Sequence, residues 1–265
     1  MGRREFVKLL GGAVAAWPAA VPALRPKMPT IGYLSSFSEK QSGPAIAAVR
    51  RGLSEGGLVD GQDVTIEFRF SDGQYDRLPG LGAEFIGQKV DLIFGAGPPA
   101  ALAAKAQTSS IPIVFVVGDD PVAGGLVTNL NHPGGNVTGM THMSSTLVEK
   151  RLGILLQLIP GATVIAMLAN PLSPEVAPEI KEMQAATQQR GLRLEIFNAA
   201  TPAELDVAFT ALAEKRPDAL VIASDPFYLT RASEIPSSAA RLCPPDDVPI
   251  PRILRDRRVD QLWNQ

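Results

Sequence analysis

One order of elements, strand–helix–strand–helix–strand, occurs twice along this chain, and that repetition restricts the fold more than any other feature. In the first copy "TIGYLSS" reads as a strand ending at Ser35–Ser36, and "PAIAAVRRGLSEGG" as a helix with Ala48, Val49 and Leu53 on one face. Gly56–Gly57 supplies its stop. "DVTIEFRF" alternates with period two, which puts Val64, Ile66 and Phe68 on one side of a strand. "YDRLPGLGAEFIGQK" is a helix candidate, "VDLIFGAG" a buried strand running into a glycine-rich turn, and Pro98 suits the first turn of the next helix. "IPIVFVV" is a further strand, ending at "GDDP".

The second copy opens at Ala162. "ATVIAMLANP" is a strand ending at Asn170. "SPEVAPEIKEMQAATQQRG" is a helix with Ser173 as N-cap and Gly191 as stop. "LRLEIF" alternates, and Thr201 with Glu204 forms a capping box behind Pro202. "PDALVIASDPF" is a buried strand entering a polar turn. Ile31 to Phe94 therefore corresponds to Val164 to Ala223. Alternation of this kind produces parallel sheets with helices on both faces. Between the copies, "NVTGM" reads as a short strand or crossover. Thr146 and Glu149 cap a helix that turns Val148, Leu152, Leu155 and Ile159 inward. The expected organisation is an α/β lobe over residues 30–140, a hinge near 138–145, and a second lobe over 143–235.

Composition narrows the chemistry. The 265 residues are 45% apolar and carry a net charge of −2, so no basic excess points to a nucleic-acid partner. One cysteine excludes an internal disulfide and a paired-cysteine metal site. Two histidines, His132 and His142, leave little material for zinc or imidazole acid–base work. The balance favours binding over catalysis, with no cofactor expected.

The first residues carry an address. Arg3–Arg4 precedes an apolar run from Val7 to about Ala23, which Trp17–Pro18 interrupts. That run is short of the ~20 residues of a membrane span, so no stable insertion is expected. Val21-Pro22-Ala23 offers a small residue at a cleavage point, as export signals do. "RREFVK" resembles the twin-arginine pattern, a receptor-read address. Residues 1–23 are expected to direct the chain to the bacterial periplasm.

Several runs point to a family. "GQYDRLP", "PAALAAKA", "IPIVFVVGDDPVAGGLVTNLNHPGGNVTGM" and "ASDPF" resemble bacterial ABC-transporter substrate-binding proteins of the tryptophan/tyrosine-importer type, from about residue 3 to about residue 230. The resemblance implies a type I periplasmic-binding-protein-like fold: two Rossmann-like lobes with parallel sheets, joined by crossovers and closing on a small solute. It implies delivery to an ABC permease and ATPase complex, with no chemistry on the solute.

In parallel α/β sheets ligands sit at the carboxyl ends of strands. The turns there hold Ser35, Ser36, Gly95, Ala96, Gly97, Asp119, Asp120, Asn170 and Asp225. Free amides at helix N-termini and hydroxyls favour a carboxylate, and a facing Asp or Asn accepts from an ammonium group, so the set suits an amino-acid zwitterion. Each candidate has a second reading. Ser36 is a helix cap or a ligand contact. Gly95 and Gly97 permit a tight turn or admit a ligand. Asp120, Asn170 and Asp225 each precede a proline, as ordinary turn residues do. Where the resembling family often has a threonine, this chain has Pro98, which removes a hydroxyl donor.

Two other functions use the same fold class. A regulator needs a basic helix-turn-helix where the export signal sits, and a fused sensor ectodomain needs a membrane helix. A Rossmann-like enzyme needs more than "FGAGPPA", in which Ala100 stands at the third glycine position.

The final stretch breaks the pattern. Residues 236–265 hold five prolines and five arginines with no helical or strand period. Resembling proteins continue after "SDPF" with a helix and then runs similar to "PTMYQFREF" and "AGLISYGT". Codons for Pro245 to Ile253, read one nucleotide later, can encode the first run, and codons for Arg257 to Asn264 the second. The glycine of the second is forced, because a tryptophan codon followed by an asparagine codon yields GGA. The second lobe is thus expected to be incomplete, its tail to be out of frame, and the strands ending at Val117 and Ala223 to expose edges. Sequencing the gene is expected to show both runs in the shifted frame beyond Leu229; their absence there removes the idea.

Overall fold

The computed structural model describes residues 28–118, 120–142 and 147–235. Eight strands form two parallel sheets. The first has the order β2-β1-β3-β4-β5, built from β1 (Thr30–Ser35), β2 (Thr65–Phe70), β3 (Leu92–Ala96), β4 (Ile113–Val117) and β5 (Val137–Thr141). The second has the order β7-β6-β8, from β6 (Val164–Ala169), β7 (Arg193–Asn198) and β8 (Ala219–Ile222). Helices α1 (Glu39–Glu55), α2 (Leu78–Gln88) and α3 (Pro98–Gln107) connect the first sheet. Helix α4 (Val148–Leu158) leads into the second, with α5 (Val176–Gln189), α6 (Pro202–Lys215) and the short α7 (Pro226–Thr230). Doubly wound parallel sheets are thus present in both halves, and the second is smaller.

Several local readings of the sequence change here. Helix α1 starts at Glu39, five residues before Pro44, because Ser38 and Gln41 cap each other: Ser38 Oγ accepts from Gln41 N and Gln41 Oε1 accepts from Ser38 N. Its inward face is Ser42 and Ile46 with Val49 and Leu53 beside them, and Ala48 is exposed. Ser173 does not cap α5. That helix begins two residues beyond Pro174, and the buried Ser173 hydroxyl has no hydrogen-bond partner among the described residues. The expected edge at Val117 is also absent, because β5 pairs alongside β4 through Val117–Thr141. Residues 138–141 of the expected hinge are therefore strand. Among the described residues, strand β8 has one neighbour, β6. Thr146 and residues 236–265 lie outside the described residues.

Each sheet packs apolar faces against helices. In the first, Leu34, Ile93, Ile113 and Phe115 meet Phe85 of α2 and Ala101 and Ala104 of α3. The opposite face carries aromatic contacts: Tyr33 stacks on Phe94 at 5.2 Å between ring centroids, with Phe68 at 5.5 Å. The second core joins Val148, Leu152 and Leu155 of α4 to Ile165, Met167, Met183 and Phe209.

The internal repeat extends to how strands are tied at their starts. Asp91, just before β3, accepts from Thr30 N at 2.8 Å and so ties the beginnings of β1 and β3. Asp218, just before β8, does the same for β6: its Oδ2 accepts from Thr163 N at 2.8 Å and Val164 N at 2.9 Å. These amide bonds hold the Asp218 carboxyl below its ordinary pKa. The stabilisation is therefore present above the unfolded-state pKa and is lost as pH falls through the lower folded value. Denaturant unfolding between pH 5 and 3 is expected to show a stability loss in the native chain that Asp218→Asn reduces.

Candidate ligand cleft

Strand order fixes where a ligand site can form. In the first sheet the order reverses between β1 and β3, because chain connections leave β1 in opposite directions. In the second it reverses between β6 and β8. The crevice at each reversal is bounded by the turns after those strands: Ser35–Ser36 with Ala96–Gly97 in one lobe, and Asn170 with Ser224–Asp225 in the other.

The two crevices meet. Tyr75, in the turn before α2, donates its hydroxyl to Asp225 Oδ2 at 2.7 Å across the cleft. Asn170 Nδ2 donates to Asp225 Oδ1 at 3.2 Å, and Phe227 N donates to the same oxygen at 2.8 Å. Asp225 is 1% exposed and Asn170 equally so. Burial, then the charge of Asp225, raise the Tyr75 hydroxyl far above its ordinary pKa, so it is a fixed donor. Gly73 lets the lobes approach: its φ is +75°, and a Cβ there would lie 2.7 Å from Phe227 Cα.

The remaining candidates serve the scaffold in this structure. Ser35 Oγ lies 3.0 Å from Ser42 Oγ and accepts from Phe37 N at 3.1 Å. Ser36 Oγ accepts from Ala100 N at 3.0 Å. Ser36 thus caps α3 from another strand end, since the N-cap, Gly97, has no side chain. Its carbonyl receives Gly73 N and Ser71 Oγ, which fixes the loop leading to Tyr75. Gly95 gives α3 room, because a Cβ there would sit 2.8 Å from Ala101 Cα. Ala96 is buried, and its carbonyl accepts from Ser36 N at 3.1 Å. Asp120 Oδ1 accepts from Val122 N at 2.8 Å, as a turn residue does. Asp119 lies outside the described residues.

The donors at these turns are largely consumed. Pro98 and Pro99 open α3 without an N–H, and the amide of Ala100 is spent on Ser36. Opposite them, Pro171 and Pro174 also lack an N–H. Leu172 N turns back to Asn170 Oδ1, and Ser173 N to the Asn170 carbonyl. The expected free amides at the helix starts are therefore not found at α3 or in the β6–α5 turn.

A second polar group supports the Asp225 turn. Arg151 on α4 pairs with Glu179 of α5 at 2.8 Å, bonds the Ile222 carbonyl and reaches Ser224 Oγ at 3.3 Å. Glu179 Oε2 accepts from Ser224 N at 2.9 Å. Sequence reading missed Tyr75 and this pair. Tyr75 stands inside the quoted "GQYDRLP", which is the signal for it; nothing in the chain's linear order joins Arg151 to Glu179. Among the described residues no cluster of His, Cys, Asp and Glu could hold a metal ion, and no helix is long and apolar enough to cross a membrane.

Two doubly wound parallel lobes meeting at their strand ends define a two-lobed α/β binding-protein fold. The family described as ABC transporter substrate binding protein matches residues 36–241, and the chain belongs to that family. It is 26% identical over 201 residues to a tyrosine-binding protein of Clostridioides difficile (strain R20291), covering 72% of this chain. The chain spans 58% of that relative's length. A conserved domain protein from Vibrio cholerae superposes with a TM-score of 0.72 at 25% identity, covering 82% of this chain and 72% of the other. A domain from Streptococcus pneumonia in complex with L-Trp superposes at 0.70 with 24% identity, covering 80% and 71%.

Arg151→Met is expected to lower stability by about 1.5–3 kcal/mol, because it removes the charged partner of a mostly buried carboxylate. Adding Glu179→Gln is expected to recover part of the loss. Urea unfolding of the single and double variants measures both.

Proposed function

We propose that this chain is the solute-binding component of an ABC importer: it holds a small organic solute between its lobes, performs no chemistry on it, and hands it to a permease and ATPase complex. The observation that carries this reading is the buried Asp225 carboxylate, reached by Tyr75 from one lobe and Asn170 from the other. A group bonded from both lobes is where a ligand gains most from closure, since closure removes water and strengthens each polar contact. Family membership supports the transporter role, and the names of two relatives, one tyrosine-binding and one bound to L-Trp, support an amine-bearing solute. Asn170 and Asp225 are the principal contacts, joined by Tyr75. Ser35, Ser36, Gly95, Ala96, Gly97 and Asp120 are assigned to the facing wall.

Export completes the proposal. Residues 1–23 deliver the chain to the periplasm by the twin-arginine route, residues 30–140 and 143–235 form the two lobes, and residues 236–265 are out of frame. A regulator or an enzyme on the same scaffold gains no support from any contact described above.

Titration calorimetry of the purified chain against amino acids and related amines tests the function. Binding of at least one of them without product formation is expected, with Asp225→Asn weakening it tenfold or more. A bound solute converted to product overturns the reading.

A further inference from the structure

The polar groups of this cleft are unequal in kind. The acceptor side is intact: among the described residues, the three hydrogen bonds to the buried Asp225 carboxylate come from uncharged donors, and no cation pairs with it. A carboxylate in that setting is stabilised most by a ligand that brings a positive charge.

The donor side is depleted. At the head of α3, two prolines remove the first two amides, and Ser36 occupies the third. In the β6–α5 turn, two more prolines remove amides and Asn170 takes those of Leu172 and Ser173, which leaves the Ser173 hydroxyl as the donor there without a partner among the described residues. Phe227 N is spent on Asp225 itself. The nearby guanidinium groups are engaged as well. Arg77 bonds the Ser71 carbonyl and Asp72, Arg231 bonds the Phe227 carbonyl and lies over the Phe227 ring, and Arg151 pairs with Glu179.

We infer that the solute of this cleft is a small organic amine without a neighbouring carboxylate, its ammonium group bound to Asp225 beside Tyr75 and Asn170. The inference rests on the solute-binding reading and narrows it. An amino-acid zwitterion would bring a carboxylate into turns whose amides are already spent, and such a group loses affinity on losing water. An amine of the same shape carries no such cost.

Three probes with one phenol ring separate the cases: tyramine, L-tyrosine and 3-(4-hydroxyphenyl)propanoate, each titrated calorimetrically into the full chain. Tyramine is expected to bind about tenfold or more tightly than L-tyrosine, and the propanoate not measurably. L-Tyrosine binding as tightly as tyramine or more so overturns the inference and leaves solute binding standing. So does binding of carboxylates or sugars by a chain that takes none of a wider set of amines. A cooperatively unfolding chain that binds no solute at all overturns both.

Pro98→Ser supplies a second arm that does not touch Asp225. It restores an amide and a hydroxyl at the head of α3, and the ratio of L-tyrosine to tyramine affinity is expected to rise about threefold or more. An unchanged ratio overturns the assignment of selectivity to the proline-blocked turn.

Discussion

The cleft depends on one buried charge. Asp225 is the N-cap of α7, and its Oδ1 accepts from Phe227 N, so the residue is first a local turn device. What makes it more is the bond from Tyr75, 150 positions away in sequence. That bond requires the two lobes to stand close. The approach in turn requires Gly73, because any larger residue would press on the Phe227 backbone. Lobe contact, turn geometry and the position of the carboxylate are thus one arrangement.

The two halves solve the same geometric problem with different chemistry. Each begins its third strand with an aspartate that clamps the first strand, Asp91 in one and Asp218 in the other. At the opposite ends of those strands the halves diverge. The first lobe closes its turn on itself, through Ser36 capping α3 and holding the Gly73 loop. The second leaves a carboxylate aimed outward toward the partner lobe. Repetition at the strand starts builds the scaffold, and the halves differ at the strand ends.

How much of this is legible in the sequence follows from how far apart the cooperating residues lie. Period-two alternation and buried β-branched runs place the strands, because each pattern is completed within six or so residues. The Thr201–Glu204 cap is equally local, and Thr201 Oγ does accept from Glu204 N at 3.2 Å. The start of α1 is misplaced by sequence because Pro44 is a strong local signal for a first turn, whereas the Ser38–Gln41 box that wins lies upstream of it. Strand-end reasoning names Asn170 and Asp225, and the structure brings these two together in one buried hydrogen bond. It does not reach the role of Ser36. A hydroxyl capping a helix 64 positions away has no linear signature. The same holds for Arg151 and Glu179, whose pairing depends on how α4 packs against α5.

That pairing bears on how a small second sheet holds the Asp225 turn in place. Among the described residues, strand β8 has β6 on one side only, and its last residues lead straight into the Asp225 turn. An edge strand holds its end less firmly than a central one, because half its backbone groups lack a ladder partner. Arg151 and Glu179 make up part of that deficit. The guanidinium binds the Ile222 carbonyl, and the carboxylate binds Ser224 N. Two backbone groups just before Asp225 are thereby tied to two helices. The ion pair thus helps to hold the backbone from which the Asp225 turn starts.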